Sequence, residues 1–352
     1  MEGLKKKVIF FTSPEVGGAE RMTITIAKML DESQYDIKFY VIGCEKGNIV
    51  NFIPAQFPVG LVRIRNIWDF TTLKLVRLMR REKPQIVFGS LIYLNIRIIR
   101  AASWLGGIKV IIRNNIGMDV TGRLNTTLLK KTYPKADVVI AQQEEMREEL
   151  IKTLHLNPGK VVTLHNPIDI QTLTEKANAP SPYEEFDGTK YVWVGRVHYK
   201  KGQDVLLKAF VEVKKKQHDA KLFFVGKYIE GDPYYEKLKM LARMLDVEND
   251  VRFVGYDSNP YRWVKHCDCF VQPSRVEGLP NALIEAMYLG KPVVATRCIP
   301  VVGRIVKEGY NGFVVNPEDY DGLSEAMLKA IYLKDFSMTY KSATKYDFSE
   351  LF

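Results

Sequence analysis

Short apolar runs alternate with amphipathic segments along the whole chain. In the first half, the runs that predict β-strands are KVIFF, DIKFYVIG, QIVFGS, KVIIRN, DVVIAQ and VVTLHN. In the second half they are KYVWVGR, KLFFVGK, VRFVGY, CFVQPS, PVVATR and GFVV. Strands that are apolar throughout and separated by helical segments predict parallel sheets with helices on both faces.

The alternation of predicted strands and helices occurs twice along the chain, so we predict an α/β fold with two Rossmann-like, doubly wound domains. A length of 352 residues also suits two domains. The break between the two alternating patterns falls at LHNPIDI, which gives an N-terminal domain over residues 1–168 and a C-terminal domain over 169–338. Residues 339–352 have a helical pattern and are interpreted as the start of a closing C-terminal helix.

Composition and charge narrow the class of protein. The chain is 46% hydrophobic and 26% charged, which is typical of globular proteins. Its apolar runs are too short to cross a bilayer, no secretory signal is recognised, and four scattered cysteines favour a reduced, cytoplasmic protein. The net charge of +10 lies entirely in residues 1–168, which hold 25 Lys/Arg against 15 Asp/Glu. That half could face an anionic membrane, a nucleic acid or an anionic soluble partner.

The stretch RVEGLPNALIEAMYLGKPVVAT places two carboxylates around a turn that leads into a predicted helix. Ligands of open α/β sheets lie beyond the carboxyl ends of the strands, where the next helix begins. A helix start offers free amides and partial positive charge to a phosphate, and Gly278 would let that backbone approach closely. Glu277 could then hold hydroxyls beyond the phosphates, and Glu285 could accept hydrogen bonds from a ribose.

Two other loops carry compatible chemistry. In GRVHYKKG, Arg196 and Lys201 follow a predicted strand and could converge on a diphosphate. In FFTSPEVGGAER, Gly17 and Gly18 precede a predicted helix and could approach a phosphate, although a plain tight turn explains them as well. The full dinucleotide G-x-G-x-x-G pattern is absent there.

These three stretches, in this order, resemble glycosyltransferase family 4. GGAER is similar to the family's N-terminal loop, GRVHYKKG to its Gly-Arg…Lys-Gly element, and EGLPNALIE to its E-x7-E signature. The resemblance implies two Rossmann-like domains that face each other across a cleft, the GT-B architecture. It assigns catalytic roles to Glu277, Arg196 and Lys201. The donor-binding residues that it implies are Gly17, Gly18, Gly278, Leu279, Pro280, Asn281 and Glu285.

The resemblance also implies the reaction. A hexose or N-acetylhexosamine would pass, with retention, from an NDP-sugar, with UDP as the expected nucleotide, to a hydroxyl of a saccharide acceptor. The expected acceptor is linked to a polyprenyl diphosphate, as in surface polysaccharide synthesis. Neither a cofactor nor an essential metal is predicted. Two alternatives stay open: a sugar-nucleotide 2-epimerase, which needs no acceptor, and a non-enzymatic polyanion-binding protein, although no nucleic-acid module is recognised.

The sequence departs from the family where many relatives carry a histidine facing the sugar. VIIRNNIG offers Arg113 and Asn114 there, as side chains of a possible sugar or acceptor cleft, and neither is a ready base at pH 7. Of the histidines, His198 is the one to test. Asp319 and Asp321 form a D-x-D like that of metal–sugar sites, but they precede a predicted helix, so N-capping is the better interpretation.

The basic segment Arg63–Lys83 is a candidate membrane contact. Lys74, Arg77 and Arg81 share one helical stripe, and Trp68 and Phe70 lead into it. A second basic segment is RLNTTLLKKTYPK. An interfacial helix and an ordinary helix packed on a sheet fit this pattern equally well. We therefore expect a cytoplasmic protein with possible peripheral attachment to the inner face of the membrane.

Overall fold

A computed structural model describes residues 5–64, 70–115, 117–118, 123–183, 186–334 and 351–352. The chain forms two compact units. The first unit comprises Met1–Pro167 and Ser342–Phe352, and the second comprises Ile168–Lys341. The main segment of the first unit stops at Pro167, where we predicted 168, and the second unit runs to Lys341, where we predicted 338. Most of the predicted closing helix, residues 339–350, lies outside the described residues.

The first unit contains a seven-stranded parallel sheet in the order β3-β2-β1-β4-β5-β6-β7. Its strands are β1 (Lys6–Thr12), β2 (Tyr35–Gly43), β3 (Val59–Arg63), β4 (Ile86–Gly89), β5 (Lys109–Arg113), β6 (Val138–Ala141) and β7 (Val161–Thr163). The six predicted strands are confirmed, but the prediction missed β3. This five-residue strand pairs with β2 alone and contains one buried residue, so its apolar signal is weak.

Helices cover both faces of this sheet. They are α1 (Gly18–Lys28), α2 (Thr71–Glu82), α3 (Ile92–Leu105), α4 (Arg123–Thr132) and α5 (Glu144–Leu154). Side chains of β1 alternate between the two faces, so that Ile9 and Phe11 enter one apolar core and Val8 and Phe10 the other. Phe352 joins the second core, with its ring 5.8 Å from that of Phe10.

The second unit contains a six-stranded parallel sheet in the order β10-β9-β8-β11-β12-β13. All six strands were predicted, and they are β8 (Lys190–Val194), β9 (Lys221–Val225), β10 (Val251–Gly255), β11 (Cys269–Gln272), β12 (Val293–Thr296) and β13 (Gly312–Val315). The helices are α6 (Ile170–Ala177), α7 (Gln203–Lys216), α8 (Pro233–Met244), α9 (Tyr261–Lys265), α10 (Asn281–Tyr288), α11 (Pro300–Ile305) and α12 (Tyr320–Ala330).

The D-x-D pair belongs to a helix cap. Asp319 is the N-cap of α12, and its Oδ1 accepts a hydrogen bond of 2.8 Å from the Gly322 amide. Asp321 lies in the first turn, where negative charge favours the helix dipole. The N-capping interpretation is therefore confirmed.

Helix α2 buries an apolar face in the first core through Leu75, Val76, Leu78 and Met79. Arg77 and Arg80 are exposed on the opposite face. The helix therefore packs as an ordinary sheet-covering helix with a basic outer surface, which Phe70 extends with a side chain that is 74% exposed. Trp68 lies outside the described residues. Within the described ranges, no helix is long and apolar enough to cross a membrane.

Candidate functional site

The chain reverses its direction across each sheet at one pair of strands. In the second unit these strands are β8 and β11, because the chain first moves outward to β9 and β10 and then returns to the other side of β8. The loops after such a pair splay apart and form the usual ligand crevice of an open α/β sheet. Here those loops are Gly195–Gly202 and Pro273–Pro280, the two segments singled out in the sequence.

The two loops are in direct backbone contact. Gly202 has a φ of 69°, and a Cβ at this position would lie 2.0 Å from the carbonyl oxygen of Pro273. Next to it, the amides of Arg275 and Val276 donate hydrogen bonds of 2.8 and 3.3 Å to the carbonyl of Lys200. Only glycine fits at position 202 without separating the loops. This close approach brings the side chains of the two loops together.

Lys201 and Glu277 form an ion pair across these loops. The ammonium Nζ lies 2.7 Å from both carboxylate oxygens. Glu277 Oε1 also accepts hydrogen bonds from Ser274 Oγ at 2.7 Å and from Gln272 Nε2 at 2.9 Å. The Glu277 side chain is 8% exposed and that of Lys201 32%. The carboxylate is thus fixed from inside the protein, whereas the ammonium remains open to solvent and to a ligand.

Arg275 holds the same loops from the other side. Its guanidinium donates hydrogen bonds of 2.8 and 3.0 Å to the two Asp204 oxygens and one of 2.7 Å to the Tyr199 carbonyl. It also pairs with Glu318 and lies 4.0 Å above the Tyr199 ring. Burial alone would lower the pKa of Arg275, but Asp204 and Glu318 raise it above its ordinary value. This residue was not predicted from the sequence, although it stands two positions before Glu277.

Arg196 offers a second cation on the loop after β8. Its side chain is exposed and forms no hydrogen bond or ion pair with any part of the chain that the structure describes. His198 lies between it and Lys201, and its Nδ1 accepts a hydrogen bond of 3.1 Å from the Lys200 amide. Burial, followed by the charges of Arg196, Lys200 and Lys201, lowers the pKa of His198. The imidazole is therefore neutral at pH 7.

The loop after β11 leads into the start of α10. The helix begins at Asn281, Pro280 is its N-cap, and Leu279 is buried beneath the turn. The first amides of α10 have no partner within the helix, as at any helix start. Glu285 is half-buried in the second turn. Gly278 precedes the turn, so the predicted donor-binding residues of this unit form one continuous segment beside Glu277.

A cavity of about 500 Å³ lies where β12 is followed by the start of α11. It is lined by Arg297, Cys298, Ile299, Pro300, Gly303 and Arg304. Burial, followed by the charge of Glu277, raises the pKa of the Cys298 thiol to about 11. The cavity is therefore within electrostatic reach of Glu277, and its thiol stays protonated at neutral pH.

In the first unit, Gly17 and Gly18 lie at the corresponding edge of the other sheet. Gly17 is the N-cap of α1 and Gly18 its first residue. The backbone of Gly17 is extended, with a φ of −120°, so this loop does not need a left-handed glycine conformation. Glycine fits position 17 because the Glu20 carboxylate lies close to it: a Cβ there would be 2.6 Å from Glu20 Oε2.

Arg113 and Asn114 are buried at the end of β5, with exposed fractions of 2% and 0%. The Arg113 guanidinium donates to Ser90 Oγ at 3.0 Å and to Asn166 Oδ1. No acidic side chain contacts it among the described residues, and burial lowers its pKa to about 9. Asn114 Oδ1 accepts from the Tyr133 hydroxyl at 3.3 Å. Both side chains hold the sheet edge together, so contact with a saccharide would require them to be uncovered.

Two family descriptions match consecutive parts of the chain. "Glycosyltransferase Family 4" matches residues 16–172, and "Glycosyl transferases group 1" matches residues 175–346. The first match contains the Gly17-Gly18 loop, and the second contains both loops of the Lys201–Glu277 pair. The chain belongs to glycosyltransferase family 4. It is therefore an enzyme that transfers sugars, as the resemblance implied.

Curated relatives of this family 4 glycosyltransferase cover most of its length. An uncharacterized glycosyltransferase of Haemophilus influenzae is 28% identical over 92% of this chain and 89% of its own. One from Methanocaldococcus jannaschii is 29% identical over 66% of this chain and 61% of its own. The N-acetylgalactosamine-N,N'-diacetylbacillosaminyl-diphospho-undecaprenol 4-alpha-N-acetylgalactosaminyltransferase of Campylobacter jejuni is 26% identical over 83% and 81% of the two chains.

Solved structures share the fold. Anabaena HepE in complex with UDP superposes with a TM-score of 0.77 at 19% identity, over 93% of this chain and 92% of its own. A glycosyltransferase from Rickettsia africae also gives a TM-score of 0.77, at 18% identity over 93% and 88% of the two chains. The predicted GT-B fold of two Rossmann-like domains is thereby confirmed.

Proposed function

We propose that this family 4 enzyme transfers a hexose or N-acetylhexosamine, with retention, from a UDP-sugar to a saccharide hydroxyl on a polyprenyl diphosphate. The observation that carries the proposal is the Lys201–Glu277 pair at the β8/β11 crevice, with Arg196 exposed on the same loop. A UDP-sugar needs cations for its diphosphate and acceptors for its sugar hydroxyls, and this site offers both.

The two cations, Arg196 and Lys201, have different roles because their surroundings differ. Arg196 has no competing partner in the described part of the chain, and its planar fork suits bidentate binding of a phosphate. Lys201 has three N–H donors, so it can bridge Glu277 and one phosphate oxygen. Glu277 stays fixed by Ser274 and Gln272, with its remaining acceptor capacity available to sugar hydroxyls. Gly278 to Asn281 would place their backbone against the sugar and the phosphates, although Pro280 has no amide and the Asn281 amide donates to the Leu279 carbonyl at 2.9 Å. Glu285 would hold the ribose.

The reaction breaks the bond from the anomeric carbon to the diphosphate and forms a bond from that carbon to the acceptor oxygen. Negative charge develops on the departing diphosphate, and Arg196, Lys201 and the α10 amides would stabilise it, which is commonly the largest contribution to catalysis. A diphosphate oxygen takes the acceptor proton on the face where the bond breaks. This route gives retention and needs no histidine at the position of Arg113.

The acceptor assignment rests on two relatives. The Campylobacter jejuni enzyme and an Escherichia coli UDP-Gal:alpha-D-GlcNAc-diphosphoundecaprenol alpha-1,3-galactosyltransferase both carry undecaprenol-linked saccharides in their names. The E. coli protein is 24% identical over 90% of this chain. HepE was solved with UDP, which favours UDP as the nucleotide.

A donor panel tests the reaction. UDP-, GDP- and ADP-sugars are compared for slow hydrolysis and for thermal stabilisation, followed by transfer to undecaprenyl-diphosphate-linked N-acetylhexosamine. We expect a UDP-sugar to give the highest hydrolysis rate and NMR of the product to show the donor's anomeric configuration. Conversion of the donor to its 2-epimer without acceptor would instead identify an epimerase, and an inverted product would refute retention.

The same assay tests the residues. Arg196→Ala and Lys201→Ala should lower kcat, because their contacts with the diphosphate strengthen as negative charge develops on it in the transition state. Glu285→Gln should mainly raise the KM for the donor. Arg243→Ala is a matched control, since that arginine is exposed on α8, away from both loops. Full turnover by Arg196→Ala would exclude its diphosphate role.

We further propose that catalysis needs no divalent metal. The described residues contain no group of three or more His, Cys, Asp or Glu side chains arranged to hold a metal ion, and the Lys201 ammonium lies 2.7 Å from both Glu277 oxygens. Turnover should therefore survive dialysis against EDTA, with added Mg²⁺ or Mn²⁺ changing it by less than about twofold, a free-energy difference below about 0.4 kcal/mol. Loss of activity that Mn²⁺ restores would contradict this.

Peripheral membrane attachment through the basic first unit is a second part of the proposal. The exposed Phe70 and Leu73 lie beside Arg77 and Arg80 at α2, which combines apolar side chains with positive charge. Each basic residue near an anionic leaflet contributes about 1 kcal/mol. Flotation with phosphatidylglycerol vesicles should carry the protein upward at low salt and not at high salt. No flotation at low salt would contradict attachment.

A further inference from the structure

The first unit has a crevice of its own between β1 and β4. The order β3-β2-β1-β4-β5-β6-β7 reverses there, as the second sheet reverses between β8 and β11. Ser13 directly follows β1, Tyr93 is the second residue of the helix after β4, and Glu20 lies in the first turn of the helix after β1. All three therefore belong to the carboxyl edge of neighbouring strands.

Glu20 is a buried carboxylate with one satisfied oxygen. The residue is 7% exposed, and its Oε1 accepts a hydrogen bond of 2.6 Å from Ser13 Oγ. Among the residues that the structure describes, Oε2 has no hydrogen-bond partner and no cation pairs with the carboxylate. Its place in the first turn of α1 gives partial compensation through the helix dipole. Oε2 is not among the fully buried side-chain atoms that lack a partner in the described residues, so water or a ligand can reach it.

The unsatisfied oxygen is directed at the Gly17 loop. A Cβ at Gly17 would lie 2.6 Å from Glu20 Oε2, so any other residue at position 17 would occupy the space in front of this oxygen. At this helix position a glutamate commonly turns back to the N-cap amide. Glu20 instead bonds to Ser13, which leaves Oε2 open to a group that enters past Gly17.

Tyr93 provides an apolar face beside the same carboxylate. Tyr93 is 48% exposed. The pKa of its hydroxyl is raised by partial burial and then by the charge of Glu20, whereas a hydrogen bond with Ser13 lowers it. Because β1 and β4 are paired, with Phe11 opposite Gly89, the segments that follow them place Tyr93 on the same edge of the sheet as Ser13, with its ring accessible. An aromatic ring beside hydrogen-bond acceptors suits a ligand with both C–H faces and hydroxyls.

The negative charge of Glu20 determines which kind of ligand the crevice between β1 and β4 favours. A carboxylate accepts hydrogen bonds from neutral hydroxyls and repels phosphates, and within the described part of the chain no cation forms an ion pair with Glu20. Glu277 in the second unit differs, because Lys201 compensates its charge. Glu20 would repel a phosphate beside Gly17, so the charge of this crevice favours a neutral ligand.

From these observations we propose that Glu20, Ser13 and Tyr93 form a subsite that binds and orients hydroxyls of the saccharide acceptor. The proposal rests on the function proposed above. Glu20 Oε2 accepts a hydrogen bond from an acceptor hydroxyl, Ser13 fixes the carboxylate, and the Tyr93 ring stacks on the sugar. Glu20 orients the acceptor and takes no proton, since the diphosphate oxygen fulfils that role.

The test compares transfer with acceptor-independent hydrolysis of the donor. Glu20→Gln and Tyr93→Ala are assayed with the preferred UDP-sugar and undecaprenyl-diphosphate-linked N-acetylhexosamine. We expect kcat/KM for the acceptor to fall about tenfold or more, as for the loss of a hydrogen bond to a charged group. Donor KM and hydrolysis should change less than about twofold, a transition-state difference below about 0.4 kcal/mol. Glu148→Gln, an exposed glutamate on α5, is the matched control and should behave as wild type.

The outcomes separate the two proposals. Wild-type protein that hydrolyses no UDP-sugar and transfers nothing contradicts the proposed function. Wild-type transfer that Tyr93→Ala leaves unchanged, with Glu20→Gln folded and equally active, overturns the subsite. Tyr93 is half exposed, so its replacement tests the subsite even where Glu20→Gln does not fold. Tyr93→Phe keeps the ring and should recover most of the acceptor affinity that Tyr93→Ala loses.

Discussion

Removal of either partner of the Lys201–Glu277 pair should have unequal effects on stability. Breaking a buried ion pair costs about 3–5 kcal/mol when the remaining charge stays buried. In Lys201→Ala the remaining charge is Glu277, which is 8% exposed but keeps its hydrogen bonds to Ser274 and Gln272. We therefore expect the free energy of unfolding to fall by about 1–3 kcal/mol. In Glu277→Gln the remaining Lys201 is 32% exposed and can turn to water, so the loss should stay below about 1 kcal/mol.

The assay is thermal unfolding without donor, followed by circular dichroism, for both single variants and Lys201→Ala/Glu277→Gln. For a unit of this size, each kcal/mol lowers Tm by about 2–4 °C. The double variant should be more stable than Lys201→Ala, because the uncompensated charge is gone. Equal losses in the two single variants would refute the burial argument. No recovery in the double variant would show that Lys201 acts on stability independently of Glu277.

Three further predictions concern the surrounding structure. Arg275→Lys keeps the charge but loses the paired hydrogen bonds to Asp204, so donor KM should rise at least about threefold in steady-state kinetics with little loss of stability; an unchanged KM would exclude a positioning role. Gly202→Ala should abolish turnover and lower Tm, because its Cβ would lie 2.0 Å from the Pro273 carbonyl oxygen; normal kinetics would contradict the loop contact. The pKa of Glu82 is lowered from 4.5 to about 2, chiefly by its hydrogen bond with Lys38. Tyr40 and Arg81 lower it further, and burial acts in the opposite direction. The stability that wild type has over Glu82→Gln should be complete above about pH 4.5 and shrink as the pH falls toward 2; urea unfolding that shows a constant difference would refute this.

Sequence patterns predicted most of the fold because both sheets are parallel and covered on two faces. Most of the twelve predicted strands are short, largely apolar runs, which such burial requires. The missed strand, Val59–Arg63, lies at the end of the first sheet and contains Gly60, whose missing Cβ makes room for the Tyr40 ring. Its sequence VGLVR has only three apolar side chains, separated by that glycine, which leaves a short apolar pattern.

The sequence predicted which loops form the candidate site, but it did not predict the side-chain contacts between them. Lys201 and Glu277 are separated by 76 positions, and only the folded switch point brings them within 2.7 Å. Arg275 was missed because an arginine beside a glutamate indicates no partner seventy positions away. Glu20 was in view within GGAER, but a glutamate at a helix start is typical of capping, so its contact with Ser13 could not be predicted.

Binding of UDP tests the central claim most directly. Isothermal titration of UDP into the wild type should show one site, with affinity lowered about tenfold or more in Arg196→Ala and Lys201→Ala, as for the loss of charge-assisted hydrogen bonds. Arg243→Ala should bind as the wild type does. UDP that binds both loop variants as tightly as the wild type would contradict the placement of the diphosphate between β8 and β11.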